Sequence, residues 1–169
     1  RLPVDPRRRL HFLLNYQDHG IKDTYAEPLK SKTVLEIAFA LIRIWKIIGP
    51  PKILHSDNGR EFSNLANMTG VALTDAELEA VISEIRRLWP GTVTVKGRPR
   101  HSQSQGGIEK ANRLLQKRLK AWMDTNKCTA WSTGLFIVTW GINTDYHSGI
   151  KTSPYELRFG QKPECGISD

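Results

Sequence analysis

The sequence predicts an α/β domain, a mixed sheet with helices on its faces. Three observations carry this. Strand-like runs come first and close together. Amphipathic runs at helical spacing then alternate with further short strands. Hydrophobic residues make up 39% of 169, enough for one sizeable core. That length fits one domain better than two, and no repeat or linker-like stretch divides the chain.

Leu10 to His19 (LHFLLNYQDH) is apolar and aromatic and reads as a strand. Tyr25 to Leu29 reads as a second, ended by Pro28 and Lys30-Ser31. Early consecutive strands favour a hairpin before the first crossover helix. Thr33-x-x-Glu36 is a capping-box pattern. Behind it Val34, Leu35, Ala38, Leu41, Ile42, Trp45 and Ile48 recur at helical spacing, until Gly49-Pro50-Pro51 stops the helix. Lys52 to His55 reads as a short buried strand, and Ser56-Asp57-Asn58-Gly59 turns the chain.

Thr74-x-x-Glu77 caps a second helix over about 75–88, closed by Trp89-Pro90-Gly91. Thr92 to Lys96 is β-branched and alternating, hence a strand. Gly97 to Gly107 (GRPRHSQSQGG) is polar and glycine-rich and reads as a mobile loop. From Ile108 a long amphipathic helix runs to about Met123, burying Ala111, Leu115, Leu119 and Trp122. Another covers about Trp131 to Asn143, and Ser153-Pro154-x-Glu156 reads as an N-cap with proline at the first helical position.

Composition excludes several classes. No apolar run approaches the ~18 residues needed to span a bilayer. Val34 to Ile48 comes nearest and is broken by Glu36, Arg43 and Lys46. The N-terminus shows no apolar signal region. Cys128 and Cys165 make neither a disulfide framework nor a CxxC site, so an intracellular chain is expected.

Charge points to a partner. Lys and Arg number 25 against 17 Asp and Glu, a net of +8. Residues 96–120 hold Lys96, Arg98, Arg100, Lys110, Arg113, Lys117, Arg118 and Lys120 against the single acid Glu109. Such a surface suits a polyanion, although a solvated basic face is the plain alternative.

Two carboxylates stand out. Asp57 follows a short buried strand, where ligands of open α/β sheets collect. An ordinary Asx-turn with Asn58-Gly59 would also explain it. Glu109 sits near a helix start, where it could simply compensate the dipole. Arg113 and Lys117 share its face, however, and a carboxylate inside a phosphate-binding surface fits a role in holding a divalent cation.

The strings HSDNGREF (55–62), HSQSQGGIEKAN (101–112) and NTDYHSGIKTSPYELRFG (143–160) closely resemble the catalytic core of retroviral and gypsy-type retrotransposon integrases. YQDH (16–19) and GRPRHSQSQG look like the integrase-derived domains kept as host genes. The resemblance covers nearly the whole chain. It implies an RNase H-like fold with a five-stranded mixed sheet flanked by helices. It implies a D,D,E triad holding two Mg²⁺ or Mn²⁺ ions for in-line displacement at phosphorus, that is, DNA end processing and strand transfer.

Within that resemblance Asp57 matches the second acid and Glu109 the third. They lie 52 positions apart, longer than the family's usual spacing, with the extra residues around Asn64 to Trp89. Asp5 in Arg1-Leu2-Pro3-Val4-Asp5 matches the first acid, and Asp18 of YQDH is its rival. Pro6 and the run Arg7 to Arg9 cut short the strand that should carry Asp5. Gln105 would contact a DNA end, Asn112 would orient Glu109 or touch backbone, and Arg113 and Lys117 would face phosphates, with Arg98 and Arg100 adding charge. Gly106 and Gly107 would let the loop approach DNA closely, while exposed polarity alone would explain Gln103 and Gln105.

The resemblance further implies DNA and a second copy of the chain as partners, with Trp131, Phe136 and Trp140 as a pairing surface unless they fill the core. It implies a nuclear location. Neither the ligand spacing of the family's zinc-binding domain nor a trailing SH3-like β domain is present in the sequence, so a core alone is expected. Two rival readings stand beside the enzyme. One is a retained, catalytically impaired domain that binds DNA or protein. The other is an RNase H-like nuclease, which the SQGGIEKAN string disfavours.

Overall fold

The computed structural model describes residues 5, 9–56, 83–96 and 102–164. In chain order the elements are β1 (Phe12–Gln17), β2 (Thr24–Leu29), α1 (Val34–Ile48), β3 (Ile53–Ser56), β4 (Val93–Lys96), α2 (Ser102–Thr125), α3 (Trp131–Thr144) and α4 (Pro154–Phe159). They fall into two compact units, Arg1–Pro28 with Gly107–Asp169, and Leu29–Gly106.

In the first unit β1 pairs with β2. Six residues join them, too few for a parallel crossover, so the pair is a hairpin. The first strand ends at Gln17, short of His19, because Asp18 starts the turn. Its Oδ1 accepts from the Gly20 and Ile21 amides at 2.8 and 3.2 Å, and its own amide donates to the Asp23 carbonyl at 2.9 Å. Arg158 of α4 donates from Nε to Asp23 Oδ2 at 2.9 Å and from Nη2 to Asp18 Oδ2 at 3.2 Å. The Tyr25 hydroxyl donates to Asp23 Oδ2 at 2.8 Å. Burial, reinforced by that neighbouring carboxylate, pushes the Tyr25 hydroxyl well above the usual tyrosine range. Burial works against charge on Arg158, but its partners, Asp23 foremost, hold the guanidinium above its ordinary value.

The core of this unit gathers Leu10, Ala26, Leu115, Leu119, Trp131, Leu135 and Val138. Leu115 and Leu119 are wholly buried, as the period of α2 requires, and Trp122 packs partly against them. Gly134 of α3 lies against the Trp122 ring, where an added Cβ would come within 2.6 Å of it. Arg118 reaches Asp145, the C-cap of α3, at 2.6 Å. The Ser153 hydroxyl caps α4 by accepting from the Glu156 amide at 3.1 Å, with Pro154 in the first turn.

In the second unit α1 buries Ile37, Ala38, Ala40, Leu41, Ile44 and Trp45. Thr33 caps it, accepting from the Glu36 amide. The Glu36 carboxylate does not complete a capping box. It turns further back, accepting from the Lys30 and Ser31 amides, both at 2.7 Å. Strand β3 pairs parallel with β4, Ile53 opposite Val93 and Ser56 opposite Lys96. Residues 83–88 are helical. Trp89 behind them meets Trp45 edge to face, with centroids 5.6 Å apart. The expected start of that helix lies outside the described residues.

Two expectations are corrected. The segment read as a loop up to Gly107 is helical from Ser102 onward, in one element of 24 residues. Each internal glycine costs a helix roughly 0.5–1 kcal/mol. A helix already anchored by Leu115 and Leu119 can extend through Gly106 and Gly107, because each residue added contributes one hydrogen bond. The pairing surface also loses one member, since Trp131 is wholly buried in the core, while Phe136 and Trp140 remain about half exposed.

The sheet differs too. Among the described residues there are four strands in two pairs. Among the described residues near the N-terminus, Asp5 forms an isolated antiparallel bridge with Leu10. There the Asp5 amide donates to the Leu10 carbonyl at 3.1 Å.

Candidate nucleic-acid interface

The sequence of α2 separates two faces. Leu115 and Leu119 point into the core, while Lys110, Arg113, Lys117 and Lys120 are exposed. These four recur at steps of three and four, so they form one cationic stripe. At 1.5 Å per residue it runs about 15 Å. Arg118, turned toward Asp145, stands apart from it.

Glu109 lies at the head of this stripe. Its side chain is 63% exposed, and its Oε2 is 3.9 Å from Arg113 Nη2 one turn on. So loose a pair in water contributes little stability. Asn112 faces the other way: its Oδ1 accepts from Asn15 Nδ2 on β1 at 2.7 Å. Lys117 is exposed, as the phosphate-facing role requires. Gln105 falls within the helical backbone of α2. Asp57, Arg98 and Arg100 lie outside the described residues.

Asp5 has a different setting. It is 1% exposed, and its Oδ2 accepts from Ser132 Oγ at 2.6 Å and from the Ser132 amide at 3.4 Å. Ser132 stands in the first turn of α3, whose N-cap, Ala130, offers no side-chain bond. Asp5 therefore serves as the cap that α3 lacks locally. No motif in the sequence announces a cap from 127 positions away. Asp18 is likewise engaged, by Gly20, Ile21 and Arg158.

Neither candidate for the first acid is presented as an open metal ligand. Among the described residues, no group of three or more His, Cys, Asp or Glu is disposed to hold an ion. The exposed stripe provides a cationic track with one carboxylate at its end, chemistry suited to binding a phosphate backbone.

No family model matches the chain. Human KRAB-A domain-containing protein 2 is 33% identical over 156 residues, 92% of this chain and 29% of that protein. The Pol polyprotein of equine infectious anemia virus (strain Wyoming) is 26% identical over 154 residues, 91% of this chain and 11% of the polyprotein. The chain spans less than half the length of these curated relatives. Among solved structures, the catalytic core domain of BIV integrase superposes with a TM-score of 0.63 at 23% identity, covering 88% of this chain and 85% of that one. The HTLV-2 integrase catalytic core domain in complex with magnesium, a trimeric form, gives 0.62 at 12% identity, covering 87% and 92%. The fold is therefore the RNase H-like fold that the sequence predicts.

Proposed function

We propose that this chain, whose fold is that of the integrase catalytic core, is an integrase-derived DNA-binding domain with impaired strand-transfer chemistry. One observation carries the reading: the carboxylate matching the first metal ligand, Asp5, is buried and bonded to Ser132. Releasing it toward a cation would uncap α3 and open the core around it. DNA binding needs no such change, because Lys110, Arg113, Lys117 and Lys120 already face solvent. The likeness to a human protein rather than only to viral ones supports a retained host domain. Nuclear DNA is then the natural partner. Self-association through the exposed Phe136 belongs to the same proposal.

A second reading keeps the enzyme. Glu109 is exposed at the head of the cationic stripe, where a third metal ligand of a D,D,E centre should be accessible to DNA. With Asp57 it would hold Mg²⁺ or Mn²⁺, and the cations would supply Lewis acidity at phosphorus.

Resolution of a branched, joined-end DNA substrate with Mn²⁺ separates the readings. That reaction already holds its hydroxyl in place, so it makes the least demand on flanking parts. The expected result is salt-sensitive binding without turnover. Turnover that disappears in Glu109→Gln and in Asp57→Asn would install the enzyme instead.

A further inference from the structure

The string NTDYHSGIKTSPYELRFG (143–160) adds nothing to the α2 stripe, yet two of its residues grip one end of β2. Asn143 stands in the last turn of α3, although asparagine is a weak helix former. Its Oδ1 accepts from the Thr24 amide and its Nδ2 donates to the Thr24 carbonyl, both at 2.8 Å. A side-chain amide thereby makes the pair of bonds that a residue of a neighbouring strand would make. Next to Thr24, Asp23 takes Arg158 Nε at 2.9 Å, which ties α4 to the same end.

The direction of these bonds identifies the edge. The Asp23 carbonyl accepts from the Asp18 amide, so the backbone of Asp23 faces the β1 side. Backbone polar groups alternate along a strand, and Thr24 accordingly faces away from β1, toward Asn143. Ala26 and Pro28 share the side of Thr24. Among the described residues β2 pairs with β1 alone, which makes this side its outer edge. Pro28 has no amide hydrogen to offer there. The outer edge is thus filled at its first rung by Asn143 and lacks a donor at its third.

A row of open N–H and C=O groups is a template for another strand. The occupant that fits this edge is β2 of a second copy, because two identical edges can pair antiparallel about a two-fold axis. We infer that Asn143 is a plug: it keeps the outer edge of β2 from pairing with the same strand of a second copy, and Pro28 interrupts what remains of the edge. The string 143–160 then serves to close the sheet, from a helix that arrives more than a hundred residues later in the chain.

Amide hydrogen exchange of the whole chain, dilute and concentrated, read residue by residue by NMR alongside sedimentation, tests this. In Asn143→Leu combined with Pro28→Val, the dilute Thr24 amide should exchange roughly tenfold faster than in the parent, having lost its acceptor. Its protection should return as concentration rises, together with a heavier species. Asn143→Leu alone should show the same pattern more weakly. In the parent, exchange at Thr24 should not depend on concentration. Asn143→Asp keeps an acceptor for the Thr24 amide and places a charge on the edge, so it should behave as the parent does. Ser132→Ala, weakened elsewhere with the plug intact, should also show no concentration dependence at Thr24. The readout is local to β2, so association through Phe136 does not disturb it. A double variant that stays monomeric, or that associates without renewed protection at Thr24, overturns the inference. Concentration-dependent protection of Thr24 in Asn143→Asp or Ser132→Ala overturns it as well.

Discussion

Asp5 caps a helix that begins at Trp131: its Oδ2 takes the Ser132 hydroxyl at 2.6 Å, wholly out of solvent. A buried hydrogen bond to a charged group contributes about 1.5–3 kcal/mol. Asp5→Ala and Ser132→Ala should each lower stability by about that much, read from urea midpoints. The double variant should cost little more than either single one, since both remove the same bond. Additive losses would mean that the two act separately. DNA affinity at fixed salt should not change.

The α2 stripe should set the salt dependence of DNA binding. Each phosphate left without its cationic side chain reduces the slope of log K against log salt by about 0.9. Arg113→Glu with Lys117→Glu should therefore flatten it by about two, measured by anisotropy across a salt series. An unchanged slope would move the DNA to other basic residues, Arg7 to Arg9 among them.

Glu36 should give the second unit an acid-sensitive anchor. Its partial burial disfavours the charge, but bonds from Ser31 Oγ and from the Lys30 and Ser31 amides outweigh it and hold the carboxyl below its ordinary 4.5. A carboxyl lowered in the folded state contributes stability above its unfolded value, and that contribution is lost as pH falls through the folded value. Glu36→Gln should thus be less stable than the parent at pH 7, and the difference should close as pH falls below the ordinary carboxylate range. A gap that persists in acid would show that shape, not charge, matters at this position.

Gly134 is set by Trp122, with no room for a methyl group between them. Alanine there gains about 1 kcal/mol of helix propensity. It also forces α2 and α3 apart, at a cost of typically about 1–3 kcal/mol. Gly134→Ala should lower the thermal midpoint, whereas Gly106→Ala, with open space around the site, should raise it. The opposite order would contradict the close approach of α2 and α3.

The elements legible in the sequence are those whose signal is local. The Thr33 cap and the 34–48 spacing give α1 to the residue. The Ser153-Pro154 pair gives the start of α4, and the apolar period gives Leu115 and Leu119. The start of α2 is hidden because serine, glutamine and glycine favour a loop by themselves, and only the anchored helix downstream overrides them. The burial of Asp5 is hidden for another reason: its partner is 127 positions away and no spacing rule connects them. Of the candidate site, the cationic face of α2 is legible from charge and period together, because both act within a few turns.

The first unit is assembled from the two ends of the chain. Asn15 meets Asn112 across 97 positions, Thr24 meets Asn143 across 119, and Arg158 meets Asp23 across 135. Pairings this remote close long loops before they return any energy, which slows folding. During synthesis the hairpin emerges early, yet the guanidinium that neutralises Asp23 comes more than a hundred residues later. The hairpin must wait, open and sticky, until the segment carrying Arg158 has left the ribosome. A nonsense truncation just before Arg158 would therefore yield an aggregation-prone nascent chain, not a slightly smaller domain.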